Sequence, residues 1–129
     1  MLNTAKNRVR LDRFAIGLSA LCAVHCVVTV LLLGALSSLG HFFAAPIIHE
    51  AGLALAILVG AVALGAGLRR HRALFPLAVG CVGLAVMGCA LLVPHGLGES
   101  VLTVLGVSLV AIAHVLNIRA DSRTGCACC

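Results

Sequence analysis

The residues best suited to chemistry are crowded into one segment, Ser19-Ala20-Leu21-Cys22-Ala23-Val24-His25-Cys26-Val27-Val28-Thr29. On a helix turning about 100° per residue, Cys22, His25 and Cys26 fall within about 100° of circumference, and Ser19 and Thr29 share their face. The two thiols are poor partners for a disulfide. Helix neighbours at i,i+4 hold their Cβ atoms about 5–6 Å apart, whereas a disulfide wants about 3.5–4.5 Å. Two sulfurs aimed at a common soft cation fit better, since thiolates select soft metals and need only be deprotonated first. A divalent ion held by two thiolates is formally neutral. That removes most of the Born cost of bringing a bare cation into hydrocarbon. His25 can accept a released proton, favour the thiolate when charged, or serve as a weak third ligand. The competing reading is structural: cysteine packs as a small apolar residue, and His25 hydrogen-bonds a neighbouring helix.

A second group of sulfurs closes the chain, in Gly125-Cys126-Ala127-Cys128-Cys129. Thiols kept reduced in the cytoplasm make good metal acceptors; lipidation or a chance tail is the alternative. From Ile118 to Cys126 an extended chain reaches at most about 29 Å, enough for the mouth of a bundle. Upstream, Glu99, Thr103, His114 and Asn117 share one broad face. The pair His114-x2-Asn117 either lines an exit or hydrogen-bonds across the bundle. Cys81, at a depth near that of Cys22, and Cys89 read as packing. His41, His49, Glu50, His95 and Glu99 read as a solvated outer rim more than as a cation collector. Glu50 and Glu99 sit at helix N-termini, where the dipole favours a carboxylate.

These side chains need elements to hold them, and the composition says which. The chain has 129 residues, 62% hydrophobic and 10% charged, against roughly 25% charged in soluble domains. A water-soluble fold and a disordered chain are both excluded. Apolar runs over about 14–36, 47–68, 73–93 and 99–118 are each long enough for a membrane helix, which satisfies its own backbone groups. Four such spans use about 80 residues, leaving no room for a soluble catalytic or nucleotide-binding domain. The expected fold is an all-α integral membrane four-helix bundle, residues 14–118. It is flanked by a basic N-terminal segment, 1–13, and a cysteine-bearing tail, 119–129.

Lys6, Arg8, Arg10 and Arg13 precede the first run; Arg69, Arg70 and Arg72 lie between the second and third; Arg119 and Arg123 follow the fourth. All nine fall on one side of a four-span arrangement, which places both termini in the cytoplasm. The net charge of +5 is then topological and faces anionic lipid; nucleic acid is not an expected partner. The opening also resembles a cleavable signal peptide, but its apolar stretch is too long for a signal core. Gly52, Ala56 and Gly60, with Ala61 and Gly65, and Gly80, Gly83 and Gly88 offer small-residue ridges for close helix approach.

Cys-Ala-Val-His-Cys (Cys22 to Cys26) and Ala-His-Val-Leu-Asn-Ile-Arg (Ala113 to Arg119) resemble the MerC family of bacterial mercury-resistance membrane proteins, along nearly the whole chain. The chain departs from the pattern in continuing Val27-Val28-Thr29-Val30 where a proline closely follows the membrane cysteines, and in placing His25 inside the pair. The resemblance implies uptake of mercuric ion across the inner membrane, the ion being cargo and no cofactor being bound permanently. Cys22 and Cys26 correspond to the membrane pair, and Cys126, Cys128 and Cys129 to tail thiols. A periplasmic metal-binding donor and a cytosolic mercuric reductase, or another thiol acceptor, would be the partners. His25 and His114 complete the expected metal-ligating set. Copper or zinc transport remains open, since cysteine and imidazole serve both. Two other classes compete. A membrane thiol oxidoreductase needs cysteines on the oxidising side, and both outer connections have none. A haem carrier using His25 and His114 would have its ligands offset by about 10 Å along the helix axes. Carrying an ion needs no covalent substrate chemistry, so no enzyme is expected.

Overall fold

The computed structural model describes residues 2–35, 46–94 and 96–125. All regular structure among them is helical: α1 (Leu2–Ala35), α2 (Pro46–His71), α3 (Leu74–Ala90) and α4 (Leu97–Gly125). The expected four-helix bundle is what forms. Large apolar side chains such as Leu21, Leu31, Leu58, Phe75, Val101 and Leu105 point outward, while Asp12, Glu99, His114 and Asn117 are buried. This is the inverse of a soluble bundle, and it is what hydrocarbon demands of polar groups.

Three helices carry apolar stretches long enough to cross a bilayer: Val9–Leu32, Ile47–His71 and Leu97–Arg123. The expected third span, 73–93, is shorter than its apolar run. Leu91, Leu92 and Val93 donate their N–H groups to the oxygens of Gly88, Cys89 and Ala90 at 3.1–3.2 Å. These i→i−3 bonds tighten the last turn ahead of Pro94, which has no N–H to continue a helix. The 17 residues of α3 rise about 26 Å, a little under the hydrocarbon thickness. The topology nevertheless carries α3 from one end of the bundle to the other. Asp12 near the start of α1 bonds His114 and Asn117 near the end of α4, and Arg70 at the end of α2 pairs with Asp121 of α4. The ends of α2 and α4 therefore lie together with the start of α1, and α3 must traverse the bundle before α4 begins.

Two helices run on beyond the expected spans. The basic segment before residue 14 forms the opening turns of α1, and α4 continues through 119–125 as helix. Between α2 and α3 the reversal takes only Arg72 and Ala73. Arg72 adopts the left-handed conformation (φ 52°), at a cost of about 1–2 kcal/mol for an L-residue. Its N–H donates to Leu68 O at 3.0 Å, and that of Ala73 to Nδ1 of His71 at 3.1 Å.

The most extensive interface joins α3 to α4, followed by α1 with α4; α2 touches each neighbour more sparingly. Glycine makes the first of these possible. A Cβ on Gly83 would lie 2.8 Å from the carbonyl oxygen of Gly106 and 2.9 Å from atoms of Val110. Beside this contact Met87, Val107 and Val110 form the buried core, with Cys22, Leu53, Ala56 and Leu84 packed around it. The small residues of α2 act otherwise than expected. Gly52 and Gly65 meet nothing within 4 Å, and Gly52 and Ala56 line internal spaces instead of a tight helix contact.

Candidate metal-binding site

One face of α1 assembles the site. Asp12, Ala15, Ser19, Cys26 and Thr29 are buried, Cys22 is half-buried between them, and Leu21, Val24 and Val27 on the other side are exposed. The spacing of 3 or 4 residues from 12 to 29 keeps these side chains on one line down the helix. Both sulfurs of the first span are thereby turned into the bundle, with Cys26 only 2% exposed. Thr29 donates its hydroxyl to the carbonyl of His25 at 2.8 Å, bonding along its own helix.

Cys22, His25 and Cys26 border a cleft of about 310 Å³ that also receives His49 from α2, Met87 from α3 and Thr103 from α4. One ring nitrogen of His25, one of His49 and the sulfur of Cys26 all lie within 4.8 Å of one another. The two imidazoles stand 5.6 Å apart between centroids, tilted at 54°. Behind them, Oε1 of Glu99 is 3.8 Å from Nδ1 of His49, with the two side chains only 6% and 11% exposed respectively. The rim expected at His49 and Glu99 is therefore corrected. Only Glu50 of that pair of α2 neighbours is exposed, while His49 and Glu99 turn inward because Ile48, Leu97 and Val101 take the lipid-facing positions beside them.

Toward the basic end lies a second polar cluster. Nδ1 of His114 donates to Oδ1 of Asp12 at 2.7 Å. The amide of Asn117 donates to both Asp12 oxygens, at 3.2 and 3.1 Å, and to Ala63 O at 3.4 Å. His71 has a determined tautomer: its Nδ1 accepts from the Ala73 N–H, so Nε2 carries the proton and donates to Oδ1 of Asn117 at 3.0 Å. In the neutral ring of His114, donation from Nδ1 puts the lone pair on Nε2, and that atom is buried with no hydrogen-bond partner among the described residues. His114 lines a small internal cavity shared with Ser19, Cys22, Ala56 and Met87. Cys22 thus borders both the open cleft and this inner cavity.

The structure brings Cys22, His25 and Cys26 together in the cleft and sets His114 apart in the second cluster, with Cys22 between them. Cys126, Cys128 and Cys129, like His41 and His95, lie outside the described residues. Cys81 and Cys89 are exposed on the outer surface of α3. Sequence reasoning overlooked Asp12, although the stripe Ser19-Cys22-Cys26-Thr29 extends back to it at steps of 3 and 4. It read His49 and Glu99 as a solvated rim, although the face it assigned to Glu99, Thr103, His114 and Asn117 is the buried one.

Apolar surface outside, with imidazole, thiol and carboxylate groups turned into a four-helix bundle, defines a membrane protein with a polar interior whose groups could hold a metal ion. The family model described as MerC mercury resistance protein matches residues 12–119, and the chain belongs to the MerC family of mercury-resistance membrane proteins. Comparison with curated proteins and with solved structures gave no match.

Proposed function

We propose that the protein carries mercuric ion across the bacterial inner membrane by exchange between thiolates. The observation that carries this reading is the place of the span-one sulfurs: Cys26 is buried in the cleft, and Cys22 borders both the cleft and the inner cavity. An ion bound by Cys26 can be shared with Cys22, pass the lone pair of His114, and leave toward Cys126, Cys128 and Cys129. Each transfer adds the incoming sulfur before the outgoing one departs, so the ion keeps its neutralising thiolates throughout. No covalent substrate chemistry is involved.

The nine basic residues support an orientation with both termini cytoplasmic. Lys6, Arg10 and Arg13, Arg69, Arg70 and Arg72, and Arg119 and Arg123 belong to helix ends that Asp12, Asn117 and Asp121 tie together. Entry of the ion is then from a periplasmic metal-binding donor, and delivery is to a cytosolic thiol acceptor such as mercuric reductase. Because α4 stays helical to Gly125, residues 119–125 rise only about 10 Å.

Mercury accumulation by cells expressing the Cys22→Ser/Cys26→Ser double variant tests the proposal. Accumulation should fall to that of cells without the protein, at equal amounts in the membrane. Accumulation equal to wild type would remove the relay.

A further inference from the structure

His49 lines the cleft but takes no part in the cysteine relay. It enters from the first turn of α2, faces His25 and Cys26 on α1, and is nearly buried. Its Nδ1 is buried and makes no hydrogen bond among the described residues; the 3.8 Å to Glu99 is too long for one. A polar atom left so in an apolar bundle is costly unless something else satisfies it.

We infer that His49 is a metal ligand, closing with His25 and Cys26 a mixed nitrogen–sulfur capture site for a divalent cation, zinc as well as mercuric ion. The inference rests on the transport reading of the same cleft and adds the ligand from a second helix. A four-coordinate ion with M–N of about 2.0–2.1 Å and M–S of about 2.3 Å holds its ligand atoms about 3.4–3.6 Å apart. Contracting the group from within 4.8 Å takes side-chain rotations of about 1 Å on this geometry. Cys22 lines the same cleft.

Charge accounts for the order of events. The Cys26 thiol gives up its proton to the aqueous phase as its sulfur binds the ion. One thiolate and two neutral imidazoles leave a divalent ion with one positive charge, facing Glu99 behind His49. Replacing the imidazoles by the Cys22 thiolate then makes the ion neutral, and its proton leaves likewise. The capture site therefore admits borderline cations that imidazole binds well, and the second thiol favours the softer ones.

Cobalt(II), the spectroscopic stand-in for zinc, reads this directly in the full-length protein in lipid nanodiscs. The background carries Cys126→Ser, Cys128→Ser and Cys129→Ser, so that only thiols of the bundle report. Expected are sulfur-to-cobalt charge-transfer absorption and the intense visible bands of four-coordinate cobalt. His49→Ala, which removes a direct ligand, should weaken cobalt binding by at least the roughly 10–100-fold that loss of an outer-shell partner costs, while Glu50→Gln on the exposed side of the same turn leaves it unchanged. His49→Cys, which keeps a ligand at the position, should bind cobalt with stronger charge-transfer absorption. Wild-type affinity in His49→Ala, or unaltered charge transfer in His49→Cys, overturns the inference. Its failure is distinct from that of the transport reading. If His49→Ala binds cobalt normally while the double cysteine variant still abolishes mercury accumulation, His49 is not a ligand and the relay stands. If the cobalt site behaves as described but mercury accumulation ignores the cysteine pair, the site stands and the relay falls.

Discussion

Asp12→Ala is the perturbation whose cost the structure sets most directly. The carboxylate is 1% exposed and receives Nδ1 of His114 at 2.7 Å and the Asn117 amide at 3.2 and 3.1 Å. Removing it strands the His114 donor entirely. The Asn117 amide keeps only the long contact of 3.4 Å to Ala63 O. A buried donor without a partner costs about 1–3 kcal/mol, so two of them, one partly rescued, predict a loss of about 2–5 kcal/mol. Asp12→Asn keeps one accepting oxygen, enough for His114, but turns an N–H₂ toward Asn117; its loss should be about 1–3 kcal/mol. Unfolding of the purified protein in mixed micelles with increasing dodecyl sulfate, followed by helical circular dichroism, measures both. Glu50→Gln, on an exposed side chain, is the control and should stay within about 0.5 kcal/mol of wild type. A value for Asp12→Ala as small as that of the control would mean that α1 does not enter the bundle at residue 12. The link between the start of α1 and the end of α4 would then be lost.

Glycine substitutions on α3 should separate contact from open space. Gly83→Ala places a methyl group 2.8 Å from Gly106 O and should cost about 1–3 kcal/mol in the same unfolding assay. Gly88→Ala meets nothing within 4 Å and should be neutral or gain up to about 1 kcal/mol from helix propensity. Cys81→Ser/Cys89→Ser, at exposed positions outside both cavities, should leave mercury accumulation by cells at the wild-type level.

The stripe from Ser19 to Thr29 was legible because helical periodicity alone decides which side chains share a face, and two thiols with a histidine on that face are rare enough to notice. Asp12 follows the same periodicity but lies among Arg8, Arg10 and Arg13, where a carboxylate reads as one more solvated charge. Its burial is decided by partners about a hundred residues away, His114 and Asn117, which no local pattern reveals. His49 and Glu99 stand near helix ends, where periodicity cannot tell a rim from an interior. The answer came from apolar neighbours claiming the outward positions. The end of α3 was misplaced for a different reason: hydropathy continues through Val93, but the backbone has already begun its turn ahead of Pro94. The glycines of α2 were identifiable as small, yet whether smallness serves a contact or a void depends on the helix opposite.

The two ends of α2 are held by different kinds of contact. Its basic end is latched by Arg70 to Asp121 and by His71 to Asn117, while α3 and α4 interlock through Gly83 and Gly106. The other end, bearing His49, borders the cleft. Ile48, His49, Gly52 and Leu53 thus form the wall of the cleft that faces Cys22 and Cys26, at the end of α2 away from the latch to Asp121.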